Sequence, residues 1–203
     1  MAATADLLRR RVEGTFTVDP WGLDAELVEL LAPAAGLRWD IDVEGALDLP
    51  SGPLVLVISR RLGLSEPWVA AEAVRRVADR LVRFVGVPDV APVGPALRRL
   101  GAVVDRPDEI AGLLRAGEVV GLTLGREPLR RHHAGTLHPE VLAPVVAAGV
   151  PVVPVAVDGR ELGRYWRVTL GEPIEAAVHP GPLAVAELAE HTRLAVQALL
   201  DRS

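Results

Sequence analysis

Two adjacent arginines stand where an α/β protein usually keeps its chemistry. Arg60 and Arg61 directly follow an apolar run of strand length, residues 53–59, and precede a segment with a helical pattern that starts at Ser65. An arginine guanidinium is planar and donates two parallel hydrogen bonds, which suits phosphate and carboxylate groups. All 22 basic residues of the chain are arginines, however. A single arginine is therefore also explained as an ordinary surface residue.

Histidines form a second group with chemical potential, in the polar loop of residues 125–140. His132, His133 and His138 are candidates for metal ligands together with Glu140. Adjacent histidine side chains point apart on most backbones, and this spacing matches no common metal site. We therefore expect a solvated loop without a metal.

Several other kinds of catalytic site are missing from the sequence. The chain has no Cys, which excludes a thiolate nucleophile and disulfides. None of its serines lies in a G-x-S-x-G turn, and the absence of Lys excludes the G-x-x-x-x-G-K-[ST] phosphate loop. No G-x-G-x-x-G follows the first strand. The sequence therefore predicts no cofactor.

Composition narrows the class of protein further. The 203 residues carry a net charge of −5, which gives no electrostatic support for nucleic-acid binding. The first 14 residues lack the apolar stretch of a signal peptide. The longest uncharged run, residues 141–157, is short of a membrane-spanning helix and contains three prolines. We expect a cytoplasmic protein with no transmembrane span and, at most, peripheral contact with the inner membrane face.

The elements that must position these residues follow an alternating pattern of strands and helices. Five apolar runs have strand length, and several are continuously β-branched, as in strands covered on both faces. They are residues 53–59, 83–87, 101–105, 118–124 and 151–157. The predicted fold class is a single α/β domain with a mainly parallel central sheet flanked by helices.

Three segments have clear helical patterns. Ser65 can cap a helix that runs to about Arg80, and residues 106–117 form a helix opened by Pro107 and closed by Gly117. Residues 183–200 form an amphipathic closing helix.

The N-terminal part is predicted to lie outside this α/β unit. Residues 24–36 favour a helix broken by Pro33, and Trp39, Ile41 and Val43 then share one face of an alternating strand. We divide the chain into an N-terminal helical extension, residues 1–36, and an α/β domain, residues 37–203.

An ordered series of fragments resembles the glycerolipid acyltransferase family. These enzymes transfer a fatty acyl group from acyl-CoA or acyl carrier protein to glycerol phosphate or a lysophospholipid. The fragments are VEGALDLPSGPLVLVISRRLGLSEP, PVGPALRRLGAVVDR, LLRAGEVVGLTLGRE, AAGVPVVPVAVDG and VTLGEPI. The resemblance covers about residues 43–174 and implies an acyltransferase-like fold.

The resemblance also implies that the catalytic dyad is degenerate. The family carries an H-x-x-x-x-D motif in which His is the general base and Asp orients it. The matching positions here are Arg60 and Ser65. Arginine does not deprotonate in proteins, and serine has no carboxylate with which to orient a base. A second family motif, F-P-E-G-T-R, is replaced by TLGREP, in which Gly125, Arg126 and Glu127 approximate it after a small shift.

The resemblance further implies a crevice at the strand ends that binds a ligand. Arg106 stands at the position where the family's middle motif has an arginine. The candidate ligand-binding residues are Arg60, Arg61, Arg106, Gly125, Arg126 and Glu127.

Three hypotheses for function follow. The first is a non-catalytic acyltransferase homologue that binds a lipid, acyl or phosphate-bearing ligand, such as a phospholipid, a lysophospholipid or acyl-CoA. The second is an active acyltransferase in which His132, His133 or His138 acts as a displaced base, with Asp105 or Glu127 as its partner. The third is a scaffold that binds another protein.

Overall fold

The structure is a computed structural model. It describes residues 9–10, 12–14, 16–60, 65–86, 90–125, 133–176 and 181–202. This part of the chain is built around one β-sheet. Its seven strands are β1 (Asp40–Gly45), β2 (Leu54–Ile58), β3 (Val82–Val85), β4 (Ala102–Val103), β5 (Val119–Thr123), β6 (Val152–Gly159) and β7 (Tyr165–Leu170). The helices are α1 (Ala25–Arg38), α2 (Ser65–Ala78), α3 (Val93–Arg99), α4 (Pro107–Arg115), α5 (Ala143–Ala148) and α6 (Pro182–Leu200). A short 3₁₀ helix, Pro139–Leu142, precedes α5.

The strands lie in the order β1-β7-β6-β2-β5-β3-β4. β6, β2, β5, β3 and β4 are mutually parallel, β7 is antiparallel to β6, and β1 is parallel to β7. This arrangement confirms the predicted α/β fold with a mainly parallel sheet. The sequence prediction did not include β7 or the short helix α3.

The central strand β2 explains the uniformly apolar run that the sequence shows. All five of its residues are buried, because β5 and β6 flank it and helices cover both of its faces. Gly121 in the neighbouring β5 lies against Phe84 of β3, and a Cβ atom at this position would come within 2.8 Å of the Phe84 ring. Glycine therefore lets the two strands pair beside an aromatic side chain.

The two faces of the sheet are covered differently. On one, which we call the closed face, α4, α5 and α6 contribute Leu113, Val145 and Val196 to a core that includes Val55 and Val57 of β2. On the other, the open face, Leu54, Leu56 and Ile58 of β2 belong to a core with residues of α2. Those α2 residues are Val69, Ala70, Ala73 and Val74.

Helix α1 adjoins the open face but buries none of its 14 residues. The predicted break at Pro33 is wrong, because α1 continues through Pro33 to Arg38. Pro33 is exposed, so the carbonyl group that loses its helical partner there can be hydrated. The predicted face of β1 is confirmed: Ile41 is buried in the core of the open face, and Trp39 and Val43 pack against that core.

The segment that leads into α1 is anchored to β3 by an ion pair between a partly exposed carboxylate and a buried arginine. Asp19 accepts hydrogen bonds from the backbone N–H groups of Trp21 and Leu23 through Oδ1, and its Oδ2 pairs with Arg83. The Arg83 side chain is fully buried, with Glu118 Oε2 3.6 Å from its Nε. Burial lowers the pKa of Arg83, and the charge of Glu118 opposes that shift. This anchor holds the segment that precedes α1, and Asp24 caps the helix.

Candidate functional site

The carboxyl ends of the five parallel strands meet at one edge of the sheet, which we call the carboxyl edge. Ser59 and Arg60 follow β2 there, Gly125 lies just beyond β5, and Ser65 opens α2. The strand-to-helix turn that the sequence singles out therefore lies where ligands bind in open α/β sheets.

Arg60 reaches the neighbouring strand at this edge. The side chain is half-buried, and Nη1 lies 3.4 Å from Thr123 Oγ1, at the end of β5. The structure therefore brings Arg60 to the segment that replaces the second family motif. Ser59, the residue before it, is buried, and its Oγ accepts a hydrogen bond of 2.8 Å from Val157 N. Its hydroxyl ties β2 to β6.

Ser65 is paired with a residue that the sequence did not point to. Its Oγ donates to Glu161 Oε1 at 2.7 Å, and its backbone N–H donates to Glu161 Oε2 at 3.2 Å. Glu161 belongs to the β6–β7 connection, so a carboxylate from a distant part of the chain satisfies an N–H group at the start of α2. The hydroxyl expected to cap the helix instead binds this carboxylate.

At Gly125 the backbone that follows β5 comes very close to the backbone of Gly135 and Thr136. Its N–H donates to Thr136 O at 2.7 Å, and a Cβ atom there would lie 2.7 Å from Thr136 Oγ1. A Cβ atom on Gly135 would in turn collide with the carbonyl oxygen of Gly125. Both glycines are needed for the chain to return to the end of β5.

The remaining candidate binding residues are not assembled with Arg60. Arg106 is exposed and immediately precedes α4, following β4 at the far edge of the sheet. β5 and β3 lie between β2 and β4, a lateral separation of roughly 14 Å. Arg61, Arg126 and Glu127 lie outside the described residues.

The histidine loop is described only in part, since His132 also lies outside the described residues. His133 is half-buried, and its Nδ1 is buried with no hydrogen-bond partner in the described part of the chain. His138 and Glu140 are exposed. Within the described ranges no group of three side chains could hold a metal ion.

A large apolar cavity lies on the open face, between α1, α2 and β3, and extends from Leu81 and Leu100 at the amino ends of the strands to Arg38 and Trp68 near the carboxyl edge. Its volume is about 350 Å³, within the range of roughly 300–1,000 Å³ typical of small-ligand sites. Its described lining includes neither Arg60 nor Ser65, but Trp68 lies one turn after Ser65 on α2. Val28, Leu31 and Ala35 of α1 face Trp68, Ala71 and Phe84 across it. Nothing in the sequence predicts this cavity.

Charged and polar groups occupy part of the cavity wall. Glu72, a buried residue of α2, accepts hydrogen bonds from Arg75 Nε at 2.8 Å and Arg76 Nε at 2.9 Å. Burial alone would raise the pKa of Glu72, but these hydrogen bonds and the two positive charges outweigh it and hold the pKa below its ordinary value. The indole N–H of Trp39 is buried at the cavity and has no acceptor among the described residues.

Comparisons with known proteins agree with this architecture. No protein-family model matches the chain, and no curated protein matches it significantly. Among solved structures, the chain is similar to the crystal structure of the 1-acyl-sn-glycerophosphate (LPA) acyltransferase PlsC from Thermotoga maritima. The TM-score is 0.65 at 19% sequence identity, over 87% of this chain and 78% of that one. The chain has an acyltransferase fold. The fold that the sequence resemblance implies is thereby confirmed. No helix among the described residues is long and apolar enough to cross a membrane.

Proposed function

We propose that the protein is a non-catalytic relative of the glycerolipid acyltransferases that binds an apolar ligand, a lipid or an acyl chain, in the cavity between α1 and α2. The observation that carries the proposal is the pairing of an apolar cavity with a strand-to-helix turn occupied by Arg60 and Ser65. The acyltransferase fold supports a lipid as the class of ligand.

The chemistry of the turn argues against acyl transfer. A general base must lose and regain a proton near neutral pH, and the Arg60 guanidinium remains charged. The Ser65 hydroxyl is engaged with Glu161. Removal of a positioned general base typically costs about 10²- to 10⁴-fold in rate. The two positions therefore favour binding without turnover.

The cavity supplies what binding needs. Its walls are mostly aliphatic and aromatic, so an alkyl chain that enters them loses contact with water. At the carboxyl edge Arg60 adds a positive charge suited to a phosphate or carboxylate headgroup. In this proposal the protein is cytoplasmic and meets membranes peripherally.

Catalysis is tested directly with acyl-CoA and lysophosphatidate. Purified protein should release no CoA above the blank. CoA release that depends on the protein would overturn the proposal and favour an active acyltransferase. His133→Ala and His138→Ala would then show whether a histidine of the loop acts as the base.

Binding is tested by native mass spectrometry of the protein as purified and by titration with N-phenyl-1-naphthylamine, a neutral apolar probe. We expect a co-purifying lipid or a saturable rise in probe fluorescence. A bare polypeptide mass together with no probe binding would contradict the proposal and favour the scaffold hypothesis.

A further inference from the structure

Helix α1 is held mainly at its two ends. At its start, Asp24 N donates to Arg99 O at 3.0 Å, and Asp24 Oδ1 accepts from Leu27 N at 2.9 Å. The ion pair of Asp19 with the buried Arg83 fixes the segment just before it. No residue along the helix is buried. The start of α1 is thus firmly anchored, while its length is held weakly.

The end of α1 is bound to the β6–β7 connection. Arg38 Nη1 donates to Gly163 O at 2.7 Å, and Arg38 Nη2 donates to Glu161 O at 2.9 Å. We call residues 160–164 the strap. A hydrogen bond of 2.7 Å from Gly163 N to Arg160 O closes the strap into a tight turn.

The same strap also binds the start of α2, through the two hydrogen bonds that the Glu161 carboxylate accepts from Ser65. One short turn therefore joins the end of α1 to the beginning of α2. These helices form two walls of the apolar cavity, and Arg38, Trp39 and Trp68 line it close to the points where the strap is attached. The strap consequently fixes the separation of the two walls at the carboxyl edge.

We propose that the strap is a latch that holds α1 over the cavity. While Arg38 is bound to the strap, α1 covers the cavity; when these bonds break, α1 moves away about its anchored start and admits an apolar ligand. The hydrogen bonds of Arg38 and Glu161 are solvent-exposed, so breaking them costs little free energy, as expected for an element that opens locally. This inference rests on the proposed binding function.

The test compares two substitutions of the same kind. Arg38→Met keeps an apolar stem against the cavity but removes both donors to the strap. Arg164→Met removes the same charge from the strap itself, where no hydrogen bond or ion pair of the side chain is found among the described residues. N-phenyl-1-naphthylamine is suitable because it is neutral and does not sense the lost charge directly.

Stopped-flow fluorescence measures the association and dissociation rates of this probe. Arg38→Met should raise both rates by roughly two- to fivefold, the effect expected from losing exposed charge-assisted bonds. Glu161→Ala should act in the same direction, and adding Ser65→Ala to it should have no further effect. Arg164→Met should match the wild type. Equal rates in Arg38→Met and Arg164→Met would overturn the latch.

Hydrogen exchange of the ligand-free protein separates the two proposals. Arg38→Met should increase amide exchange in residues 31–38, and Arg164→Met should not. If the wild type binds no probe, the proposed binding function is wrong, and the exchange rates of residues 31–38 still test whether Arg38 holds α1 in place. Increased exchange that extends equally into β2 and β5 would show general destabilisation and would also overturn the latch.

Discussion

Alternate residues of β2 point to the two faces of the sheet, and the two faces are packed differently. On the closed face, side chains of β2 meet three helices whose inward residues are fully buried, including Ile110, Leu113 and Val145. On the open face, α2 packs closely, but α1 leaves a cavity of about 350 Å³. The contrast shows that the closed face is filled by its helices, whereas the open face has room for a ligand.

The difference lies in the helices rather than in the strand. The side chains of β2 are buried toward both faces. Helix α1 places small residues toward the cavity, among them Ala32, Ala34 and Ala35. These are too short to reach the opposite wall. Space remains because these alanines stand where larger side chains fill the closed face, although Val28 and Leu31 of α1 also line the cavity.

The largest expected effect comes from shortening a leucine on each side of this comparison. Leu113→Ala on the closed face should lower the free energy of unfolding by about 2–5 kcal/mol, because it leaves a cavity in a filled core. Leu31→Ala on α1, where the side chain is 44% exposed, should lower it by less than about 1 kcal/mol. Urea unfolding of both variants measures the difference. Equal losses would show that α1 belongs to the core.

Filling the cavity is the next test, with a smaller effect. Ala35→Phe should weaken the binding of N-phenyl-1-naphthylamine by at least about tenfold, because the ring takes the space of the probe. Unfolding should change little, since α1 has freedom to adjust. Ala25→Phe places the same ring on α1 outside the cavity and is the matched control. Unchanged affinity in Ala35→Phe would show that the probe binds elsewhere.

The smallest expected effect is on the pH dependence of stability, and it compares Glu72 on the open face with Glu190 on α6 of the closed face. The pKa of Glu72 in the folded protein lies below its ordinary value of 4.5, so folding is favoured above that pH, and this contribution is lost as the pH falls through the lowered pKa. The stability of the wild type should therefore fall more steeply than that of Glu72→Gln between about pH 5 and pH 3.

The control for this pH test lies on α6. Hydrogen bonds from Arg193 also lower the pKa of Glu190, but that pair is solvent-exposed, so Glu190→Gln should leave the pH profile nearly unchanged. Urea unfolding at a series of pH values gives all three profiles. If the profiles of the wild type and Glu72→Gln are parallel, Glu72 makes no pH-dependent contribution to folding.

Much of the fold was readable from the residues because strands covered on both faces must be apolar throughout. The run that became β2 and the Gly117 that follows α4 are examples, since Gly117 has a positive φ of 82°. The predicted break at Pro33 is wrong because Pro33 is exposed, so water can replace the helical hydrogen bond that proline cannot donate. β7 was missed because its alternating pattern, with Arg167 facing solvent, differs from that of the buried strands.

The site was readable only in part. The position of Arg60 at the carboxyl edge followed from its place after an apolar run. Glu161 was not found because it lies 96 residues from Ser65 in the sequence, and no local pattern signals such a contact. The cavity depends on how α1 is placed over the sheet and on its alanines at residues 32, 34 and 35, and no sequence motif marks such a space. The division of the chain at residues 36 and 37 stays a prediction.

The ion pair between Asp19 and Arg83 has a consequence for the order in which the chain is assembled. Asp19 leaves the ribosome long before Arg83 is made, and β3, which carries Arg83, gains its central neighbour only when β5 has been synthesised. The segment made early is therefore placed late. In nascent chains that end before β5, α1 lacks the ion pair between Asp19 and Arg83. The cavity wall that α1 forms is therefore completed after the sheet on which it rests.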